Sequence, residues 1–138
     1  MKKVVIYIMT MCIMLTCTGL VTWATEIDNS SIQPYWLNTG AIEYGFEFEE
    51  DQIGYADIAV TGQPGTSKIT IDVHIYRQNN QSWDYVTSNS STRNAGSHVM
   101  SVELSGNSGQ YYKAVFTVTV YNNNVPEVIT KTCYATCP

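Results

Sequence analysis

Positive charge is scarce in this sequence: seven Lys and Arg stand against twelve Asp and Glu. A chain so balanced repels phosphate backbones, which argues against nucleic acid as a partner. Histidine is scarcer. His74 and His98 are the only two, and neither has a metal-ligand or acid–base motif around it; both are expected to be structural or solvated, His74 on the polar face of its strand and His98 at the start of an apolar face, and no metal or cofactor is expected. No serine sits in a Gly-x-Ser-x-Gly setting, the strained turn that presents a hydrolase nucleophile. Apolar runs of membrane length are missing everywhere except at the N-terminus. Outside that run no stretch holds a 3.6-residue period for three turns, so helical architectures are excluded.

What is present begins with that single apolar run. Met1-Lys2-Lys3 is a basic start, Val4 to Val21 carries no charge, and Thr22-Trp23-Ala24 ends the run with small residues at the −3 and −1 positions. This order is that of a secretory signal peptide cleaved after Ala24. An anchor reading is weaker, because the run is short of roughly 20 residues and its basic flank is at the extreme N-terminus. Lipidation at Cys17 lacks the expected small residue just before it, since Thr16 stands there. Removal of 24 residues leaves 114, enough for one domain with its own core. It also removes Lys2 and Lys3, leaving five basic against twelve acidic residues and a net charge of −7. The expected organisation is therefore a signal peptide at 1–24, a flexible polar leader at 25–35, and one secreted domain at 36–138.

That domain alternates with a period of two, the signature of strands. Tyr44 to Glu49 puts aromatics on one face and glutamates on the other. Ile53 to Thr61 aligns Ala56, Ile58 and Val60. Lys68 to Arg77 points Ile69, Ile71, Val73 and Ile75 one way and Thr70, Asp72, His74 and Tyr76 the other. Ser82 to Val86, Ser97 to Leu104, Gln110 to Tyr121 and Val125 to Tyr134 complete the set, and Gln110 to Tyr121 is the longest run. The separators are Gly62 to Gly65, Gln78 to Gln81, the polar stretch Ser88 to Gly96 read as a loop, Ser105 to Gly109, and Asn122 to Asn124, where asparagine tolerates positive φ. About seven short strands at this spacing predict an all-β fold, a two-sheet antiparallel β-sandwich of immunoglobulin-like type. A closed barrel is the alternative. Tyr112, just past a turn glycine at the start of the penultimate strand, is the expected tyrosine corner.

Few residues stand out as sites. Cys133 and Cys137 are the cysteines left after cleavage, and export favours a disulfide between them as a terminal clasp. Residues four apart in a continuous strand lie about 13 Å apart, too far to bridge, so the strand must end near Cys133 and the tail must curl back. Free thiols, or pairing between chains, are the other readings. The acidic run Glu43, Glu47, Glu49, Glu50 and Asp51 projects along a strand instead of converging as calcium requires, and reads as the solvated face of an edge strand. Trp36, Trp83 and Tyr85, with Tyr35 and Tyr76 beside them, are the candidates for an exposed aromatic surface that stacks on sugar rings or a partner protein.

The combination of a signal peptide, Ile32-Gln33-Pro34-Tyr35, Ser82-Trp83-Asp84-Tyr85-Val86 and the stretch Gly109 to Tyr121 within a serine- and glycine-rich β domain resembles a family of small exported proteins of Gram-positive bacteria, a domain of unknown function. The chain departs from it in Tyr35, where that family favours a basic residue, and in carrying Cys133 and Cys137. The resemblance implies export and a β domain and assigns no catalytic residue. Together these features predict a secreted, non-enzymatic binding or structural domain acting on a cell-surface glycan or protein, with no membrane span after cleavage. A secreted toxin or bacteriocin-like protein and a small secreted hydrolase are the competing readings.

Overall fold

A computed structural model describes residues 36–138. The expected signal peptide, the leader and Tyr35 lie outside the described residues. Seven strands follow in order: β1 (Thr39–Phe48), β2 (Ile53–Gly62), β3 (Thr66–Asn79), β4 (Ser82–Arg93), β5 (Ser97–Ser105), β6 (Tyr111–Asn122) and β7 (Val125–Thr136). They form two antiparallel sheets, a three-stranded one in the order β1-β2-β5 and a four-stranded one in the order β4-β3-β6-β7. The fold is an all-β, two-sheet, immunoglobulin-like sandwich. It differs from the antibody constant arrangement, in which the fourth strand joins the first, second and fifth; here β4 stays hydrogen-bonded to β3.

The alternation expected from the sequence is what closes the two sheets on each other. Ile69, Ile71, Val73 and Ile75 of β3 and Ala114, Phe116, Val118 and Val120 of β6 are fully buried. They face Ala56, Ile58 and Val60 of β2 and Met100, Val102 and Leu104 of β5. Each of these side chains larger than alanine contributes about 1.5–3 kcal/mol by leaving water. One end of the core is plugged by Phe48, whose ring lies 5.3 Å from Phe46 and 5.0 Å from Tyr112. Glycine makes the notch: a Cβ on Gly54 would meet the Phe48 ring at 2.6 Å, and one on Gly106 at 2.5 Å.

Tyr112 is the expected tyrosine corner. It is buried, and the Asn107 amide donates to its hydroxyl at 3.0 Å, tying the β5–β6 connection to the start of β6. The β6–β7 hairpin turns through Asn123 and Asn124, both at positive φ, as a two-residue primed turn requires. The other end of the sandwich is closed by a carboxylate. Glu127 of β7 accepts from the Leu37 and Asn38 amides at 2.6 and 3.0 Å and from the Thr39 hydroxyl at 2.8 Å, fixing the entry to β1. Burial pulls the Glu127 pKa upward, but these hydrogen bonds from Thr39, Leu37 and Asn38 outweigh it and hold the carboxyl below its ordinary range.

Three expectations are corrected. The stretch Ser88 to Arg93 is strand, not loop, because β3 runs long enough to pair with all of it and its hydroxyls bond across: Thr92 with Thr70, and Ser90 donating to Asp72. The longest strand is accordingly β3, not β6. Cys133 and Cys137 are free thiols, not a clasp. The strand does not end at Cys133 but continues through Thr136, and the tail stays extended. The Cys137 amide donates to the Gln110 carbonyl and the Gly109 amide to the Cys137 carbonyl, both at 2.9 Å. Cys137 is fully buried beside Phe48 and Gly106.

Candidate functional site

The two outer faces of the sandwich differ in charge. Glu43, Glu47, Glu49, Glu50, Asp51, Asp57 and Glu103 all belong to the three-stranded sheet or its β1–β2 turn, which carries no Lys or Arg. Strand β1 is an edge strand, and Glu43 and Glu47 are exposed on it, as the acidic run suggested. The Tyr55 phenol feels this field: its pKa is raised by partial burial and then by Glu103, Glu49, Asp51 and Asp57. A shallow depression of about 350 Å³ opens where Gly45 lacks a side chain, flanked by Glu43, Asp57, Ala59 and Val99. The four-stranded sheet holds the other charges of the described residues: Lys68, Arg77, Arg93, Lys113 and Lys131 against Asp72, Asp84 and Glu127.

The outer face of that four-stranded sheet gathers the aromatics. Register sets the rows. Tyr85 of β4 pairs with Tyr76 of β3, Tyr76 with Lys113 of β6, and Lys113 with Tyr134 of β7, so one row crosses all four strands. The neighbouring row holds Trp83 on β4 and Tyr111 on β6. Strand spacing puts the edge strands about 14 Å apart, yet the Trp83 and Tyr134 ring centroids are 6.0 Å apart. Large side chains from both edges therefore lean inward and meet above the central strands. Tyr111 lies 6.0 Å from Trp83 and 5.7 Å from Tyr134, nearly parallel to the latter at 9°. Tyr76 and Tyr85 meet edge-on at 6.1 Å, and His74 is 6.5 Å from Tyr85. The Tyr85 hydroxyl is pinned to Ser88 at 2.8 Å. Tyr85, Tyr134 and Tyr111 remain 59, 52 and 37% exposed.

Lys113 sits within this cluster. Its ammonium is 4.5 Å from the Trp83 centroid and 4.9 Å from that of Tyr76, within the range of cation–π attraction. Among the described residues no carboxylate is within salt-bridge distance of it; the ion pair present is Arg77 with Asp84 at 3.9 Å. Beyond the rings the face turns to hydroxyls and small polar groups. Ser88, Ser90, Thr92, Thr70, Thr117, Thr119, Thr130 and Thr132 share the outward phase of their strands.

Of the residues singled out in the sequence, Trp83, Tyr85 and Tyr76 come together. Trp36 does not: it precedes β1 and lies 5.0 Å from the Lys131 ammonium, which also approaches Tyr44. Tyr111, Tyr134 and Lys113 were not singled out. Their outward phase was readable, since Tyr112 and Ala114 point inward, but their common height with Trp83 depends on register. His74 lies on the polar outer face and His98 on the inner face, as their strands predicted. His98 is buried with Nε2 3.0 Å from the Ser91 hydroxyl.

Two packed antiparallel sheets, seven strands and a tyrosine corner define an immunoglobulin-like β-sandwich carrying an aromatic outer face. No protein-family model matches the sequence, and no curated protein matches it. Among solved structures the chain is similar to part of a β-glucuronidase of Parabacteroides merdae, at 11% identity and a TM-score of 0.47 over 70% of this chain and 13% of the enzyme. It is also similar to part of a putative β-galactosidase of Bacteroides fragilis, at 12% identity and a TM-score of 0.43 over 66% of this chain and 15% of that one. The OgpA protein of Akkermansia muciniphila matches at 17% identity and a TM-score of 0.44, over 72% of this chain and 28% of its own. The chain thus spans a small fraction of each, and no residue role is carried over from them.

Proposed function

We propose that this chain is a secreted, non-enzymatic binding domain whose ligand docks on the outer face of the four-stranded sheet. One observation carries the reading: Trp83, Tyr111 and Tyr134 form one ring group and Tyr76 and Tyr85 another, the Lys113 ammonium bridges the two, and three of these rings, drawn from β4, β6 and β7, stay open to solvent. Folding gains little from leaving aromatic surface of this size in water, whereas a ligand gains both area and ring-face contact from it. The rings are supported by one another and by Ser88, so little side-chain freedom remains to be lost on binding. The export half of the proposal rests on the N-terminal pattern. The domain then meets its ligand outside the cell or at its surface.

The test compares the wild-type chain with Trp83→Ala and Tyr134→Ala variants on immobilised glycans and extracellular proteins. The expected result is a discrete ligand whose affinity falls at least about tenfold in both variants, with unfolding midpoints near that of the wild type. Variants that bind as the wild type does would remove the face from the proposal. Turnover of a glycan or peptide that one carboxylate or serine substitution abolishes would establish the hydrolase reading in its place, and killing of neighbouring strains by the purified protein the toxin reading. N-terminal sequencing of the chain recovered from culture medium checks export, with Thr25 expected as the first residue.

A further inference from the structure

We infer that the ligand of the aromatic face is an acidic polysaccharide, a single chain whose carboxylates pair with Lys113 while its sugar rings pack on the flanking tyrosines. The inference rests on the reading that this face binds, and adds the class of ligand. Three features point to it. The first is that the cation site of the cluster is already filled. The Lys113 ammonium lies over Trp83 and Tyr76, so a cationic ligand meets repulsion where it would otherwise find its best contact. The second is that Lys113 is a half-buried residue with no carboxylate of the described residues within salt-bridge reach of its ammonium. An ammonium has three donors and no acceptor of its own, so an incoming carboxylate gains a charge-assisted hydrogen bond without displacing a protein anion.

The third feature decides between a polysaccharide and an acidic protein segment. Exposed rings flank Lys113 on both sides along one row, Tyr85 on β4 and Tyr134 on β7. A carboxylate between two stacking surfaces suits a polymer of uronic acids, in which every ring carries both an apolar CH face and an anion. Past the aromatics the same face continues as hydroxyls such as Thr117 and Thr130, with no apolar core ringed by a polar rim of the kind protein interfaces show. The rings are also tilted, at 44 and 47° between Trp83 and its neighbours and 77° between Tyr76 and Tyr85. A flat crystalline polymer cannot meet all of them, whereas one chain can turn each sugar to its ring.

The test measures affinity of the full chain for two uronate polymers, polygalacturonate and alginate, for highly methyl-esterified pectin, which keeps the sugar and loses the anion, and for poly-L-glutamate, which keeps the anion and loses the sugar. At least one uronate polymer is expected to bind, about tenfold or more above the esterified and polypeptide probes. Lys113→Met, which keeps an apolar stem of similar length, is expected to lose about tenfold or more of the affinity, and Lys113→Arg to retain most of it. Thermal midpoints of both variants establish that they fold. Binding of esterified pectin equal to that of polygalacturonate, with Lys113→Met indifferent and Trp83→Ala deficient, overturns the anionic ligand and leaves the binding face intact. Poly-L-glutamate bound as tightly as the uronates overturns the polysaccharide in favour of an acidic protein segment. Binding of neither uronate polymer overturns the inference outright, while the fate of the face is decided by the broader panel.

Discussion

Glu127 offers the sharpest test of how this sandwich is closed. Its carboxylate takes hydrogen bonds from the Leu37 and Asn38 amides and the Thr39 hydroxyl. Glu127→Gln keeps the shape, but one of the two oxygens becomes an NH₂ group that confronts a donor, so at least one bond is replaced by a clash of like dipoles and those that remain lose the charge. A hydrogen bond to a charged group is worth about 1.5–3 kcal/mol. Because the pocket is only partly shielded from water, the lower half of that range applies, and the expected loss is about 2 kcal/mol. For a domain of this size that lowers the melting temperature by roughly 8–10 °C. The sign of the pH dependence follows from the lowered pKa. The contribution is fully present above the ordinary glutamate value of 4.5 and disappears as pH falls through the lower folded value. Urea denaturation of both proteins across this range should show the gap at neutral pH and its closure in acid. A gap that stays the same at every pH would refute the argument, since it would make Glu127 a packing residue whose charge does not matter.

Four further outcomes are expected. Phe116→Ala removes a fully buried ring against which Tyr44 packs at 6.0 Å, and calorimetry should register a loss of about 3–5 kcal/mol. Tyr112→Phe deletes the acceptor of the Asn107 amide; a cost of about 1 kcal/mol, with the core undisturbed, should appear in denaturant titrations. Gly106→Ala drives a Cβ to 2.5 Å from the Phe48 ring and 2.8 Å from the Cys137 sulfur, and should cost about 1–3 kcal/mol as those groups move. Burial pushes the Cys133 thiol up to about 11, and Cys137 is fully enclosed. Peptide mapping after alkylation at neutral pH should find both unmodified in the folded protein and both modified in urea.

Much of the fold was legible because its inner strands are strict. In β3, from Ile69 to Ile75, and in β6, from Tyr112 to Val120, each inward position is filled by a residue suited to the core, and in β5 only His98 interrupts the series, so period-two alternation fixes the face. The asparagine turn and the tyrosine corner were legible because each depends on a local requirement, positive φ in one case and a short hydroxyl reach in the other. The second half of β4 was not. Ser88 to Arg93 has a loop composition, and it is strand because β3 extends beside it and offers a full ladder, a tertiary influence overriding propensity. The thiols were misread for a related reason: the tail finds partners at Gly109 and Gln110, more than twenty residues earlier in the chain. The aromatic face was half legible. Parity assigns Tyr111, Lys113 and Tyr134 to the outside, but only the pairing register sets them level with Trp83.

Under the proposed binding role, the separation of charge between the two sheets would bear on how the domain arrives at its target. Seven carboxylates on the three-stranded sheet and its β1–β2 turn, and a small cationic excess on the four-stranded sheet, make an electric dipole across the sandwich's thickness. Near a polyanionic surface such a body experiences a torque, and the acidic sheet swings outward. In physiological salt the field reaches about 8 Å, so the rotation is confined to the last stage of approach, after diffusion has brought the molecule close. Under the proposed anionic ligand, encounters that begin in a wrong orientation would thereby be converted into encounters that present the tyrosines first.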